Sequence, residues 1–508
     1  MDRRRILIIL AGLTLAQIMA GVEGTIVSTA QRAIGADLGG LRQLSWIFTG
    51  YLLAQAASTP LWGKGSDIFG RRRLFQLSIV VFMVGSVIAG FAPSMLVLII
   101  GRVVQGVGAG GLFSLSMAIM GDLLSPRERG TYIGYMGGAY ATATVIGPLV
   151  GGLFVDYVSW RWIFFFMLPL GLVSLYVSNL VPERARAAER PYIDYAGSAL
   201  LVIWVTGLVL ITRLGGSTYH WLSPQIGALT LLTVVAFGLF VRCQFRAPEA
   251  LVPPRLFRDR VFVAGYTSQL LMGFVLVGVT IMAPLYLQFV KGAGATNSGL
   301  LTIPLTLGMM GSSVYSGRRI SKTGRYRYFP IAGMAATALS LYLMSSMDVA
   351  TSRAVTGAYM FLFGLGIGAS MQVVLVAVQN RVDPADMGIA TSVNSFSRAL
   401  GSTVGSALFS AVLLARLDTL LPQFVPGSDI EVDTIQADPA RLAAMQPEVR
   451  EGIIEAFSGA LSDVFLVGVP FALLALLAVW RMPEHRLREN RAVDGSDFDA
   501  GGAIEAVA

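Results

Sequence analysis

The chain has 508 residues, of which 55% are hydrophobic and only 13% are charged, and its mean hydropathy is +0.67. This composition excludes a soluble globular protein, which needs far more charge to cover its surface. The formal net charge of +8 does not indicate nucleic-acid binding, because the basic residues lie in short loops between apolar runs.

Apolar runs long enough to cross about 30 Å of hydrocarbon as helices recur along the whole chain. They predict an all-α polytopic membrane protein with about fourteen spans. The predicted spans are 6–30, 43–62, 74–92, 95–120, 131–155, 160–180, 195–213, 224–243, 261–288, 296–316, 328–346, 354–378, 388–413 and 460–480.

The first apolar run follows the basic start MDRRR. A basic start and an apolar centre are also typical of a cleaved signal peptide. The run continues past the point where cleavage would fall, into a motif that carries Glu23. We therefore interpret it as the first membrane helix, with its basic end in the cytoplasm.

Lysine and arginine are concentrated in alternate loops, including GKGSDIFGRRR and GRRISKTGRYR. Cytoplasmic loops of membrane proteins carry such an excess. These loops and both chain termini are therefore predicted to lie on the cytoplasmic side of a bacterial inner membrane.

Two longer polar segments interrupt the pattern. Residues 414–459 are predicted outside, and their helix-like stretch PARLAAMQPEVREGIIEAF favours a solvated loop with an interfacial helix. A cap over the outer mouth is the alternative. Residues 482–508 are charged and glycine-rich, which is typical of a disordered tail.

The sequence contains an internal repeat. GKGSDIFGR at Gly63–Arg71 is echoed by GRRISKTGR at Gly317–Arg325, and Gly130 is echoed by Gly388. Two repeats that face each other around a midplane cavity are the architecture of alternating-access carriers. The predicted parts are an N-terminal six-helix bundle at 1–180, two inserted helices at 181–260, a C-terminal six-helix bundle at 261–481 and a cytoplasmic tail at 482–508.

The loop GKGSDIFGRRR resembles the signature loop of the major facilitator superfamily between helices two and three. Gly63 and Gly70 allow close approach and a sharp turn, and the resemblance implies that Asp67 and Arg71 form a conformational latch. A basic loop that only sets topology would explain the arginines but not the spacing of the glycines and the aspartate. The second copy has Ser321 at the aspartate position, which predicts a weaker latch.

Helix four carries LIIGRVVQGVGAGG, which places Arg102 inside the predicted span. An intramembrane arginine is costly unless water or an acid compensates its charge. The stretch, with Gln105 three residues later, resembles the helix-four motif in which the arginine is linked to proton transfer. Pairing for packing alone is the alternative. Asp122 at the end of this helix resembles the acid that joins the latch.

Helix five carries GPLVGG, with Gly147, Pro148, Gly151 and Gly152. Proline removes a backbone donor and the glycines thin the helix, so the residues themselves predict a bend and a close-packing face. The pattern resembles the antiporter motif of facilitator-type exporters, which implies export.

Helix one carries GVEGTIVSTA, which resembles the motif of the fourteen-helix drug:proton antiporter family. That family normally has aspartate at the Glu23 position and ends the motif Ala-Leu-Pro, where this chain has Ala30, Gln31 and Arg32. A carboxylate that moves between buried and wet surroundings can take up and release a proton. Glu23 is therefore the candidate proton-coupling acid, with Arg102 as its modulator.

Several polar residues lie on helices that usually face the cavity of such carriers, where substrate contact and interhelical hydrogen bonding are both possible. Relatives often place further acids in helices ten and thirteen to bind cationic drugs, whereas this chain has Asn297, Asn394 and Arg398 there. Monovalent cations, neutral amphiphiles and anions all remain candidate substrates. The predicted cavity residues are Gln17, Gln55, Tyr140, Gln269, Gln372, Asn394 and Arg398.

The resemblance implies a monomeric major facilitator carrier that exports small amphiphilic compounds, such as drugs and dyes, in exchange for protons. The sequence offers no catalytic nucleophile, phosphate loop or metal cluster, and Cys243 is its single cysteine. We therefore expect no enzyme activity, no metal and no cofactor, with an ion gradient as the energy source. The alternatives are a dedicated exporter of an endogenous lipid, siderophore or antibiotic, a proton symporter, and a membrane scaffold or receptor.

Overall fold

A computed structural model describes residues 2–39, 43–182, 194–216, 219–293, 295–425 and 445–487. These residues are helical almost throughout, with a π-helical turn at Tyr286–Val290 and 3-10 turns at Pro254–Arg258 and Pro384–Asp386. The α-helices are α1 (Arg3–Leu38), α2 (Leu44–Phe69), α3 (Arg71–Gly90), α4 (Met95–Leu123), α5 (Pro126–Tyr157), α6 (Trp162–Phe165), α7 (Met167–Ser178), α8 (Tyr195–Leu214), α9 (Pro224–Arg246), α10 (Arg260–Leu285), α11 (Ala295–Leu301), α12 (Ile303–Thr323), α13 (Tyr328–Ser345), α14 (Arg353–Arg381), α15 (Met387–Phe424) and α16 (Pro447–Trp480).

Every predicted apolar run lies on one or two of these helices, with α6 and α7 sharing the sixth run and α11 and α12 the tenth. Within the described residues, 10 helical segments are long and apolar enough to cross a membrane. The helix at Trp162–Ser178 is apolar but shorter. The all-helical membrane fold is thus confirmed, and the count of fourteen spans stays a prediction.

The long helices α2, α5 and α12 are not among those 10 segments. We call α1–α7 the N-half and α10–α16 the C-half. The helices α5 and α12 pack on each other across the two halves, as α2 does on α15. Such contacts contain small and polar residues in place of large apolar ones, because small residues allow helices to approach closely. Hydropathy alone is therefore a weaker indicator of a membrane-spanning helix for α2, α5 and α12.

The segment 414–459 differs from its prediction at both ends. Helix α15 continues to Phe424, and α16 already begins at Pro447, so the expected interfacial helix is the start of a long helix. Ile453, Ala456 and Phe457 are buried along this extension, which explains why the helix is ordered there. Residues 426–444 lie outside the described residues.

The start of the predicted disordered tail is also different. Met482 and Leu487 are buried, and the Leu487 N–H donates to the Gly324 carbonyl at 3.1 Å. The Tyr326 hydroxyl donates to the Pro483 carbonyl at 3.0 Å. Residues 482–487 therefore form an ordered strap against the turn between α12 and α13, and the prediction for 488–508 lies outside the described residues.

The inserted pair α8 and α9 packs where the two halves meet. Trp204 of α8 contacts Phe237 of α9 edge-on at 5.2 Å between ring centroids, and it contacts Phe396 of α15 at 5.9 Å. Arg213 of α8 donates to the Thr49 hydroxyl of α2 at 2.7 Å. The pair therefore contacts both halves along the α2–α15 seam.

Candidate functional site

Glu23 of α1 and Arg102 of α4 form an ion pair between Oε1 and Nη1, and both side chains are fully buried. The same Arg102 Nη1 donates to Gln105 Oε1 at 2.7 Å, and Nε donates to the Ile47 carbonyl at 3.2 Å. The guanidinium also lies 4.3 Å from the centroid of the Tyr51 ring. The arginine predicted to be costly in the membrane is thus compensated by an acid, an amide and an aromatic ring.

The network is satisfied only in part. Gln105 Nε2 donates to the Ser86 hydroxyl at 2.8 Å, which fixes the amide orientation. Glu23 Oε2 and Arg102 Nη2 are buried with no hydrogen-bond partner. Unpaired buried polar atoms are expensive, so these two atoms are the part of the network that is left unsatisfied.

The helix-five glycines pack next to the turn of α1 that carries Glu23. A Cβ atom added at Gly147 would lie 2.2 Å from Thr25 Oγ1, and one added at Gly151 would lie 2.4 Å from Thr29 Oγ1. Gly152 has no such neighbour within 4 Å. Helix α5 runs unbroken from Pro126 to Tyr157, and a bend at Pro148 stays a prediction.

Asp67 and Arg71 lie at one end of the bundle, which we call the latch end. Arg71 Nη1 lies 2.9 Å from Asp67 Oδ1, and Arg71 Nε pairs with Asp122. Asp67 also accepts hydrogen bonds from the backbone N–H groups of Gly388, at 3.0 Å, and Ile389, at 2.9 Å. These groups belong to the N-terminal turn of α15 in the C-half, and a helix N-terminus favours an anion.

A related contact joins the other pair of helices at the latch end. The Ser321 hydroxyl of α12 accepts from the Thr131 N–H at 3.0 Å and donates to the Arg127 carbonyl at 2.6 Å. Arg127 Nε donates to the Ser321 carbonyl at 2.8 Å. Ser321 thus contacts the first turn of α5 as Asp67 contacts the first turn of α15. A neutral hydroxyl replaces the carboxylate, and hydrogen bonds to a neutral group are weaker.

Glycines allow these crossings. A Cβ atom at Gly63 would lie 2.7 Å from the Gly388 carbonyl, and one at Gly317 would lie 2.2 Å from the Gly130 carbonyl. Gly63 and Gly317 are corresponding positions of the sequence repeat, as are Gly130 and Gly388. Gly70 has a φ of +96° at the end of α2, a conformation that favours glycine. The latch end is therefore closed in this structure.

The predicted cavity residues differ in their surroundings. Gln17 is fully buried, and neither polar atom of its side chain has a partner. Gln269 Nε2 donates to the Met371 carbonyl at 2.7 Å, so it is engaged within the C-half. Gln372 is buried and lies near Gly137 of the other half. Gln55 is partly buried, and the side chain of Tyr140 lies outside the described residues.

Asn394 and Arg398 lie one turn apart on α15. Asn394 is buried and its Nδ2 has no hydrogen-bond partner. The Arg398 guanidinium carbon lies 5.2 Å from the centroid of the Phe113 ring of α4. This contact crosses from the C-half to the N-half, which places Arg398 between them.

Sequence reasoning did not identify several partners in these networks. The carbonyl of Ile47 and the N–H groups of Gly388 and Ile389 are backbone atoms, which no residue type reveals. Ser86 is an ordinary serine within an apolar helix, where its own Oγ also donates to the Phe82 carbonyl. Among these partners, only Gly388 could be recognised in the sequence, because it corresponds to Gly130 in the repeat.

The chemistry of the described residues suits charge and conformational coupling. They contain no group of three or more His, Cys, Asp or Glu side chains that could hold a metal ion. The site instead consists of a buried ion pair, a charged latch between the halves and polar side chains between them. Such an arrangement can bind and release a proton and change its shape.

Comparison with known proteins agrees with this architecture. The family model of the Major Facilitator Superfamily matches residues 13–406. The chain is 37% identical over 471 residues to an uncharacterized MFS-type transporter of Mycobacterium tuberculosis, covering 92% of this chain and 68% of the relative. It is 31% identical to the multidrug transporter protein MdtP of Bacillus subtilis, covering 88% of this chain and 83% of that protein.

A solved structure supports the fold alone. The proton:xylose symporter XylE of E. coli superposes with a TM-score of 0.64 at 15% identity, covering 95% of this chain and 97% of XylE. From the family match, the relatives and the helical architecture together, we conclude that this chain belongs to the major facilitator superfamily of membrane transporters and is related to its multidrug efflux proteins.

Proposed function

We propose that this protein is a proton-coupled antiporter that exports small amphiphilic compounds across the inner membrane of a bacterium. It acts as a monomer by alternating access, with the latch end and both termini in the cytoplasm. The Glu23–Arg102 pair, fully buried and inside the membrane-spanning bundle, is the observation that carries this proposal.

The pair supports proton coupling because Arg102 has different partners in the two protonation states of Glu23. When Glu23 is charged, it neutralises Arg102 at a position where both side chains are fully buried. When Glu23 is protonated, the hydrogen-bond acceptors that remain to Arg102 among the described residues are the Gln105 amide oxygen and the Ile47 carbonyl. Protonation from outside would thus change the arrangement of α1 and α4, and release of the proton inside would restore it.

Alternating access also requires a stable state in which the cytoplasmic end is closed, and the latch supports this requirement. Asp67 joins the N-half to the first turn of α15 while Arg71 holds both Asp67 and Asp122. Opening of this end would separate Asp67 from the α15 N-terminus. The helix-five glycines lie against the turn of α1 that carries Glu23. A movement of that turn would therefore displace α5.

The alternatives differ from this proposal in measurable ways. A dedicated exporter would share the mechanism but move one class of compound. A proton symporter would move substrate and protons in the same direction. A scaffold or receptor would keep its function without Glu23.

The test is dye export from proteoliposomes that contain purified protein and an imposed pH gradient, with ethidium as the dye. We expect export that needs the gradient, stops with a protonophore and is lost in Glu23→Gln. Glu451→Gln is the matched control, because Glu451 is exposed near the start of α16. Wild-type rates in Glu23→Gln, or export that ignores the gradient, would contradict the proposal.

A further inference from the structure

Arg398 of α15 forms no ion pair with an acid of the part of the chain that the structure describes, and helix geometry places it deep in the predicted span. It lies eleven residues after Met387, the first residue of α15, which is about 16 Å along the helix. Phe113, which it contacts, lies ten residues before the last residue of α4, or about 15 Å from the same end. Both estimates place the contact near the middle of a hydrocarbon core about 30 Å thick.

Arg102 and Arg398 differ in how the charge of their side chains is compensated. Arg102 pairs with Glu23 and is fully buried. Among the described residues, Arg398 contacts the Phe113 ring and forms no ion pair or hydrogen bond, and its side chain is partly exposed. A single ring compensates such a charge only in part.

The neighbouring side chain adds a second free donor. Asn394 lies four residues before Arg398, on the same face of α15. Its Nδ2 is buried without a partner. A guanidinium and an amide N–H on one helix face are suited to a carboxylate or a sulfonate, because a planar guanidinium binds such groups through two parallel hydrogen bonds.

We propose that Arg398 and Asn394 form an anion-recognition site between the two halves, and that the exported compounds include amphiphiles with a carboxylate or sulfonate group. The anion lies against Arg398, and the Phe113 ring contacts the apolar part of the compound. The inference rests on the proposed export function and names its substrate class. It also gives a reason why this face of α15 carries the amide of Asn394 and the guanidinium of Arg398 instead of an acid.

The test compares fluorescein, an anion, with rhodamine 123, a cation with the same xanthene ring system. Fluorescence anisotropy of each dye with purified protein in detergent measures binding without any proton gradient, so the result does not depend on coupling. Arg398→Gln removes the charge, and Arg398→Lys keeps the charge but loses the planar fork. Arg416→Gln is the matched control, because Arg416 is exposed on the same helix and pairs with Asp463.

We expect Arg398→Gln to weaken fluorescein binding about 10- to 100-fold, the range for a hydrogen bond to a charged group. Arg398→Lys should have an intermediate effect, Asn394→Ala a smaller one, and Arg416→Gln none. Rhodamine 123 binding should not weaken in Arg398→Gln. Equal loss for both dyes, or undiminished fluorescein binding, would overturn the inference.

Proteoliposome export separates the two proposals. If the wild type exports rhodamine 123 and neither binds nor exports fluorescein, the anion site is overturned while the export function stands. If the wild type exports neither of these dyes nor ethidium under a pH gradient, the proposed function fails as well. Export of fluorescein that is lost in Arg398→Gln and kept in Arg416→Gln would support both.

Discussion

The carboxylate of Asp67, in the N-half, accepts a hydrogen bond of 3.0 Å from the backbone N–H of Gly388, at the start of α15 in the C-half. Oδ2 of the same carboxylate accepts from the Ile389 N–H at 2.9 Å. Asp67 and Gly388 are 321 positions apart in the sequence. One side chain therefore links the signature loop of the first repeat to the helix N-terminus of the second half.

The first prediction concerns this link. Asp67→Asn should shift the protein away from the state closed at the latch end by about tenfold, because a hydrogen bond to a charged group contributes ~1.5–3 kcal/mol and one to a neutral group about half of that. Spin labels at Phe69→Cys and Arg319→Cys in a Cys243→Ser background would report longer distances. Ser321→Ala, the neutral counterpart, should have a smaller effect. An equal or larger shift in Ser321→Ala would refute the assignment of Asp67 as the stronger latch.

The second prediction uses two glycines of α12. A Cβ atom at Gly317 would lie 2.2 Å from the Gly130 carbonyl, whereas one at Gly311 has no such neighbour within 4 Å. Gly317→Ala should therefore reduce the transport rate about tenfold, since overpacking a contact costs about 1–3 kcal/mol. Gly311→Ala should keep the wild-type rate. Similar rates for the two variants, at equal expression, would show that the crossing does not limit closure.

The third prediction is a double-mutant cycle on the buried pair. Arg102→Gln alone leaves Glu23 buried without its cation, and breaking a buried pair costs about 3–5 kcal/mol of stability. The melting temperature in detergent should fall strongly in Arg102→Gln and recover in Glu23→Gln/Arg102→Gln. Transport should not recover in the double variant, because the proton-binding group is gone. Arg416→Gln, which breaks an exposed pair, should change the melting temperature little.

Additive losses in the Glu23 and Arg102 single and double variants would mean that the two side chains are not energetically coupled. That result would contradict the ion pair as the central interaction of the site.

The fourth prediction concerns the strap at 482–487. Removal of residues 488–508 should leave the melting temperature unchanged, whereas removal of 482–508 should lower it by several degrees. The second truncation exposes the apolar surface under Met482 and Leu487 and removes the acceptor of the Tyr326 hydroxyl. Thermal unfolding of both truncated proteins in the same detergent would measure the difference. Identical values would show that the strap contributes nothing to stability.

Much of the architecture could be predicted from the sequence, because apolar length is dictated by the thickness of the bilayer. Each predicted run lies on a helix, and Glu23 and Arg102 were recognisable because charges are rare within such runs. The ends of helices were less predictable. The polar extensions of α15 and α16 are stabilised by their neighbours, such as the Arg416–Asp463 pair at 2.5 Å, which local composition does not contain.

By itself, the sequence determined the membrane class, the repeat, the family motifs and the identity of the few charges that the membrane makes costly. Only the tertiary structure decided which groups those charges meet: Arg102 meets Glu23, Asp67 meets the α15 N-terminus, and Arg398 meets the Phe113 ring. The physical reason is that the hydrophobic pattern of a stretch of sequence reports only the local structure of that stretch. Its partner can be a backbone atom or a ring hundreds of residues away, brought near by the packing of whole helices.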